Sequence, residues 1–243
     1  MKSEESKLDL RRLSAPSPPA GGEGWGEGAS LFTLHPSLAV RRLGLAPYLE
    51  TWDAMKAFTA ARTKDMPDEI WLLEHPPIYT YGVAGRAEHL PSVDNGIPVI
   101  KVDRGGQVTY HGPGQLVAYV LMDLRRRNLS VRGLVRALEQ AVLDLLDDFG
   151  VIGGRREDAP GVYVRGAKVA ALGLRIRQGC SYHGLSLNVD MDLAPFRLID
   201  PCGYPDLDVT QLRDLGIAEP MESLRERLLS KLTRHLDTPR EHA

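Results

Sequence analysis

Twelve consecutive residues, Arg104-Gly-Gly-Gln-Val-Thr-Tyr-His-Gly-Pro-Gly-Gln115, constrain this chain more than any other part of it. Four glycines and a proline exclude a helix there and interrupt a strand. Around them stand an arginine, a threonine, a tyrosine, a histidine and two glutamines. Such a stretch brings bare backbone N–H groups and polar side chains close to something polar. Read alone, it also fits a solvated turn between two strands. The rest of the chain has to decide between these readings.

Around this stretch the sequence alternates between strand-like and helix-like patterns. Residues 70–74 read as a short buried strand halted by His75-Pro76-Pro77. Residues 98–102 form a second strand leading into the glycine-rich loop, and the apolar run 116–122 a third. Residues 161–164, 169–176 and 181–189 are three more candidates. Pro47 opens a helix with Leu49, Trp52, Met55 and Phe58 on one face. Ser130 caps a second helix carrying Leu134, Leu138, Val142 and Leu145, and Gly150 ends it. Residues 210–214 suggest a short helix, and Pro220 opens a last amphipathic one through Leu224, Leu228 and Leu232. The expected class is an α/β or α+β domain, a mixed sheet flanked by helices.

Residues 1–38 have a different texture. Ser14 to Ser30 is almost entirely Pro, Gly, Ser, Ala and Glu around Trp25. With no apolar period, it cannot offset the entropy of ordering and reads as a disordered extension. The expected division is therefore 1–38 as extension and 39–243 as one catalytic domain.

The overall charge of −2 gives no basic field for nucleic acid or an anionic membrane. No apolar run approaches the ~20 residues needed to span a bilayer, and no secretory signal pattern opens the chain. Two cysteines, Cys180 and Cys202, make neither a disulfide framework nor a zinc site. The expected setting is the cytoplasm, with both thiols free.

Three more clusters carry potential chemistry. Lys168 follows Ala167 and precedes the apolar run Val169-Ala-Ala-Leu172. A lysine beside such a strand is costly to bury without a partner, although it also fits an edge strand protected against pairing. In Ser181-Tyr-His-Gly-Leu-Ser-Leu-Asn188, alternation places Tyr182, Gly184, Ser186 and Asn188 on one face. His183, Leu185 and Leu187 fall on the other, which suits a core histidine. Gly184 permits close approach of a ligand or of another backbone. Cys202 stands on a tight turn, Asp200-Pro-Cys-Gly203, where a thiol is reachable. Cys180, between Gly179 and Ser181, reads as a turn residue, so Cys202 is the preferred nucleophile.

Taken together these residues resemble the lipoyl(octanoyl) transferases, from about Val40 to the last helix. The matching pieces are residues 104–115, Gly161-Val-Tyr163 with Lys168-Val-Ala-Ala-Leu-Gly173, His183-Gly-Leu-Ser-Leu-Asn188, and Asp200-Pro-Cys-Gly203. The resemblance implies the fold shared by lipoate ligases and biotin protein ligases. It implies that octanoyl–acyl carrier protein gives its acyl group to a cysteine. The group then passes to a lysine on a lipoyl domain of a 2-oxoacid dehydrogenase complex or on the glycine-cleavage H protein. By the match, Cys202 is the acyl carrier and Lys168 its activator. The acyl-substrate site is implied at Arg104, Gly105, Gly106, Gln107, Val108, Thr109, Tyr110 and His111, at Ala171, Leu172 and Gly173, and at Gly184, Leu185 and Ser186. No cofactor, nucleotide or metal is expected, and a monomer is.

The chemistry fits those residue types. Passing an acyl group from thioester to thiol needs no ATP but does need a thiolate. A free cysteine of pKa ~8.5 is only a few per cent ionised at pH 7, so a neighbouring ammonium helps. In the second step a neutral Lys168 could take the proton of the incoming amine. Two other readings compete: an ATP-dependent lipoate or biotin ligase, and a non-catalytic acyl-binding protein on the same fold. Neither needs an acyl-cysteine.

Overall fold

The structure is a computed structural model that describes residues 34–35, 38–91, 93–157, 159–200 and 207–237. Ten strands and three α-helices follow one another in the described residues. They are β1 (Leu34–His35), β2 (Leu38–Leu45), α1 (Tyr48–Ala60), β3 (Asp68–Glu74), β4 (Ile78–Tyr81), β5 (Val99–Lys101), β6 (Val108–His111), β7 (Gln115–Leu121), α2 (Val131–Asp147), β8 (Gly161–Val164), β9 (Ala167–Arg177), β10 (Cys180–Asn188) and α3 (Met221–Asp237). They form a seven-stranded sheet in the order β1-β2-β3-β7-β10-β9-β8 and a small sheet β5-β4-β6. In the large sheet β2 and β3 run parallel and the remaining neighbours antiparallel. The expected mixed sheet flanked by helices is therefore the architecture observed.

β7 shows how sequence pattern becomes layering. All of its residues are buried. Leu116, Ala118 and Val120 face the larger core, with Leu134, Leu138, Val142 and Leu145 of α2 and Leu224, Leu228 and Leu232 of α3. Val117, Tyr119 and Leu121 face the other way, into a core with Met55 of α1, Trp71 and Tyr182. A strand buried on both faces reads as a continuous apolar run, as this one does. Ser130 caps α2 by accepting the Gly133 N–H at 3.0 Å, and Gly150 lies beyond its end at φ +69°.

Several sequence expectations need correction. Leu49 is 49 % exposed, so the inward stripe of α1 is Tyr48, Thr51, Met55 and Thr59, flanked by Trp52 and Phe58. The glycine-rich stretch is interrupted by a strand, β6, which pairs with β4. Residues 99–101 lie in the small sheet, with Val99 42 % exposed, and outside the main core. The segment expected as a helix at 210–214 forms only a 3-10 turn at Arg213–Leu215. Leu38 opens β2 and is fully buried, so the folded domain includes it.

A charged hub fixes one corner. The fully buried Asp68 carboxylate accepts hydrogen bonds from Arg62, Arg126 and Arg127 and from the Asp123 backbone N–H at 2.8 Å. Three guanidiniums around one carboxylate satisfy its oxygens, which a buried charge requires.

Candidate active site

Where β9 and β10 face the groove they carry small residues, in register with the larger ones of β7. Ala171 of β9 pairs with Ser186 of β10, which pairs with Val117 of β7. Two residues along, Gly173 pairs with Gly184, and Gly184 with Tyr119. All six line one groove. Alternate residues of a strand share a face, so these six make two rows of a single trough. The other walls are Tyr48, Arg104, Gly106, Gln107, Val108, Thr109, His111, Leu172, His183 and Leu185.

Most of the residues expected at a substrate site meet here. Gly105 and Tyr110 do not line the groove. The Gly105 N–H donates to the Leu174 carbonyl at 2.8 Å, fastening the loop to β9. Tyr110 is buried on the opposite side with Tyr79 and Phe196. Arg104 is 7 % exposed, and its guanidinium donates to the Thr80 carbonyl at 2.7 Å and the Thr80 hydroxyl at 3.0 Å. Gly184 is glycine because β7 approaches it: an added Cβ would stand 2.0 Å from the Ala118 carbonyl oxygen.

Lys168 is brought to the same face by a bulge. β8 and β9 pair Val162 with Ala170 and then Tyr163 with Lys168, leaving Val169 as an extra residue. Val169 and Ala170 both enter the core under α2 and α3. The alternation is thereby reset, and Lys168 stands with Gly161, Tyr163 and Ala171 rather than in the apolar layer. It is 3 % exposed. Its Nζ donates to the Pro160 carbonyl at 3.3 Å and sits 5.1 Å from the centre of the Tyr163 ring. Its backbone is gripped by the 208–210 segment: the Lys168 N–H donates to Asp208 O at 2.8 Å, and the Thr210 N–H to Lys168 O at 2.9 Å.

Cys202 lies outside the described residues, as do its neighbours from 201 to 206. The flanks are described. Asp200 accepts from His89 Nδ1 at 2.8 Å, and Asp208 carries the bond to Lys168. Cys180 is buried, and burial pushes its thiol up. That disfavours the thiolate and argues against Cys180 as a nucleophile.

A hydrogen-bonded relay ties the loop to the Lys168 end. His111 Nδ1 donates to Gln115 Oε1 at 2.7 Å, and Gln115 Nε2 donates to Asn188 Oδ1 at 2.9 Å. Asn188 Nδ2 donates to the Thr210 carbonyl at 3.0 Å. Burial, with His75 beside it, drives His111 well below the ordinary imidazole value. It is therefore a neutral ring with its donor spent on Gln115.

Two residues at the site escape a sequence reading. His183, expected with the leucines, has φ +60°, and this left-handed turn brings it to Asp103, the partner of its neighbour Tyr182. Only backbone geometry reveals this. Asp103 accepts from Trp52 Nε1 at 2.8 Å, from the Tyr182 hydroxyl and from His183 Nε2 at 3.3 Å. Burial would raise its carboxyl, but the bonds from His183, Tyr182 and Trp52 outweigh that and hold it well below the usual range. Among the described residues no group of His, Cys, Asp and Glu could hold a metal ion, and no helix is long and apolar enough to cross a membrane.

The chain has counterparts among known proteins. Residues 47–233 match the family described as the lipoyl protein ligase A/B catalytic domain. The fold is shared with a bi-partite lipoate protein ligase from Thermoplasma acidophilum, at TM-score 0.64 and 19% identity over 83% of this chain and 86% of that one. A biotin protein ligase from Aquifex aeolicus aligns at TM-score 0.51 and 12% identity, over 83% of this chain and 71% of that one. Within that catalytic class the sequence is more specific. An octanoyltransferase of Azoarcus sp. (strain BH72) is 60% identical over 199 residues, 82% of this chain and 88% of the relative. The chain belongs to the octanoyltransferases, a family of acyltransferases.

Proposed function

We propose that this chain transfers an octanoyl group from octanoyl–acyl carrier protein, through a thioester on Cys202, to a lysine of a lipoyl domain or of the glycine-cleavage H protein. The observation that carries this reading is the placement of Lys168. Its side chain is buried against Gly161, which pairs with Ala171 of the trough, and its backbone is bonded to Asp208 and Thr210, a few residues on from Cys202 in the sequence.

In the first step the Cys202 thiolate attacks the thioester carbonyl, and the carrier's thiolate leaves and takes a proton from the Lys168 ammonium, which is left neutral. The ammonium of Lys168 favours the thiolate by charge. In the second step the acceptor lysine attacks the acyl-cysteine, and Lys168, once neutral, accepts the amine proton. Collapse of the tetrahedral intermediate expels the Cys202 thiolate. The trough supplies the apolar surface of Val117, Ala171 and the ring of Tyr119. Burying an octanoyl tail contributes about 5 kcal/mol at ~0.8 kcal/mol per methylene.

Incubation with octanoyl–acyl carrier protein, without ATP, tests the reading. A lipoyl domain should gain one octanoyl group. A strict need for ATP and free octanoate would move the chain to the ligases.

A further inference from the structure

α2 buries a carboxylate beside its apolar stripe. Glu139 follows Leu138, which is fully buried in the larger core, and is itself only 4 % exposed. A carboxylate is costly to bury unless it is paired and hydrogen-bonded. Glu139 is both. Its Oε2 accepts from Arg155 Nε at 3.0 Å, and its Oε1 accepts from the Gly161 N–H at 3.1 Å. The Arg155 side chain keeps about a third of its surface in solvent and also donates to Gln140 at 2.7 Å. An exposed acid would serve such an arginine as well. The bond that requires burial is the one to Gly161.

That N–H belongs to the peptide group that also holds Lys168. Lys168 Nζ donates to the Pro160 carbonyl at 3.3 Å, and the Pro160 C=O and Gly161 N–H are the two polar ends of one peptide. Peptide bonds among the described residues are trans, so these two ends point in opposite directions. The peptide therefore stands between a carboxylate on its donor side and an ammonium on its acceptor side. A carboxylate bonded to the N–H polarises the peptide and makes its carbonyl oxygen a stronger acceptor. The ammonium is thus bound more firmly than an unassisted carbonyl would bind it. Space works in the same direction, because the absent side chain of Gly161 leaves the room in which Cε and Nζ of Lys168 lie. By fixing Gly161 to α2, Glu139 fixes that room too.

Resting on the reading of Lys168 as the residue that activates Cys202, we propose that Glu139 is a positioning residue for that lysine. It does not line the groove. It acts through the Pro160–Gly161 peptide, holding the Lys168 ammonium against the start of β8. Loss of the carboxylate should therefore loosen the lysine and slow the thiol. Direct action by charge predicts the reverse. A carboxylate near a thiol disfavours the thiolate, so its removal would speed the thiol. The sign of the effect separates the two.

The test is a double-mutant cycle on the alkylation rate of Cys202 at pH 7, in a Cys180→Ser background. Glu139→Gln and Lys168→Ala are made singly and together. Glu139→Gln keeps the size and an acceptor oxygen but removes the charge. It should slow alkylation about fivefold where Lys168 is present. Where Lys168 is already alanine, it should change the rate by less than about twofold. In octanoyl transfer to a lipoyl domain, kcat should fall while KM for octanoyl–acyl carrier protein stays the same, because Glu139 lies outside the groove. If Glu139→Gln does not fold, Glu139→Gln combined with Arg155→Gln replaces the ion pair by two amides and stands in for it. Equal slowing in both backgrounds, as a purely structural role would give, would overturn the proposal. So would unchanged or faster alkylation with Lys168 present. A Lys168→Ala variant alkylated as fast as wild type would instead defeat the role of Lys168, and that of Glu139 with it.

Discussion

A Cβ added to Gly161 would stand 3.1 Å from Cε of Lys168 and 3.4 Å from its Nζ. The start of β8 is thus shaped around one lysine side chain. The same Cβ would stand 2.7 Å from the Ala170 carbonyl oxygen, and the glycine has φ +150°. Gly161→Ala should therefore destabilise the fold by about 1–3 kcal/mol and displace the lysine. Urea denaturation and octanoyl transfer, measured together, check this. Wild-type stability and activity in the alanine variant would show that the lysine does not depend on this space.

Removal of the lysine should be felt at the thiol. In a Cys180→Ser background, Lys168→Ala should slow alkylation of Cys202 at pH 7 by about tenfold, as expected if the thiolate loses a neighbouring cation. Lys168→Arg should keep most of the alkylation rate but impair transfer to the acceptor lysine, because guanidinium does not give up its proton. Equal alkylation rates in wild type and Lys168→Ala would remove the lysine from thiol activation.

Much of the proposed site can be read from the sequence because it rests on residue types that folding alone does not favour. A run of glycines, a lysine beside an apolar strand and a cysteine between proline and glycine all stand out against their surroundings. The sheet order and the bulge at Val169 do not stand out. They arise from pairings between β8, β9 and β10 that no local pattern encodes. His183 illustrates the difference: strict alternation sends it to the core side, and a single left-handed residue reverses that. β6 was hidden for a related reason, since Val108-Thr-Tyr-His111 sits between glycines and reads as loop until β4 is beside it. Helices with a strong apolar period, α2 and α3, were legible nearly to their ends.

The Asp68 hub should matter for stability and little for chemistry. Asp68→Asn leaves three arginines around a neutral amide at a fully buried position. A loss of about 3–5 kcal/mol is expected, read from the urea midpoint. A variant as stable as wild type would mean that the arginines find solvent instead.

His75 gives the fold a dependence on pH. Its ring donates from Nδ1 to the Ala46 carbonyl at 2.6 Å and accepts the Tyr119 hydroxyl at Nε2, 2.7 Å away. Burial lowers it to about 4, from an ordinary 6.5. The unfolded chain therefore binds a proton that the fold refuses between those values. Stability should be full above pH 6.5 and fall as pH drops toward 4, by up to about 3 kcal/mol. Urea midpoints between pH 7.5 and 5 check the slope. His75→Gln, which does not titrate, should reduce the slope and leave the part due to the buried His111 and His183; an unchanged slope would assign the whole effect to those other groups.

Intact-mass analysis of the chain after exposure to octanoyl–acyl carrier protein, with no acceptor present, tests the central claim most directly. One octanoyl group should appear, released by hydroxylamine as a thioester is. It should persist in Cys180→Ser and vanish in Cys202→Ser. No adduct, or one that survives in Cys202→Ser and disappears in Cys180→Ser, would contradict the account.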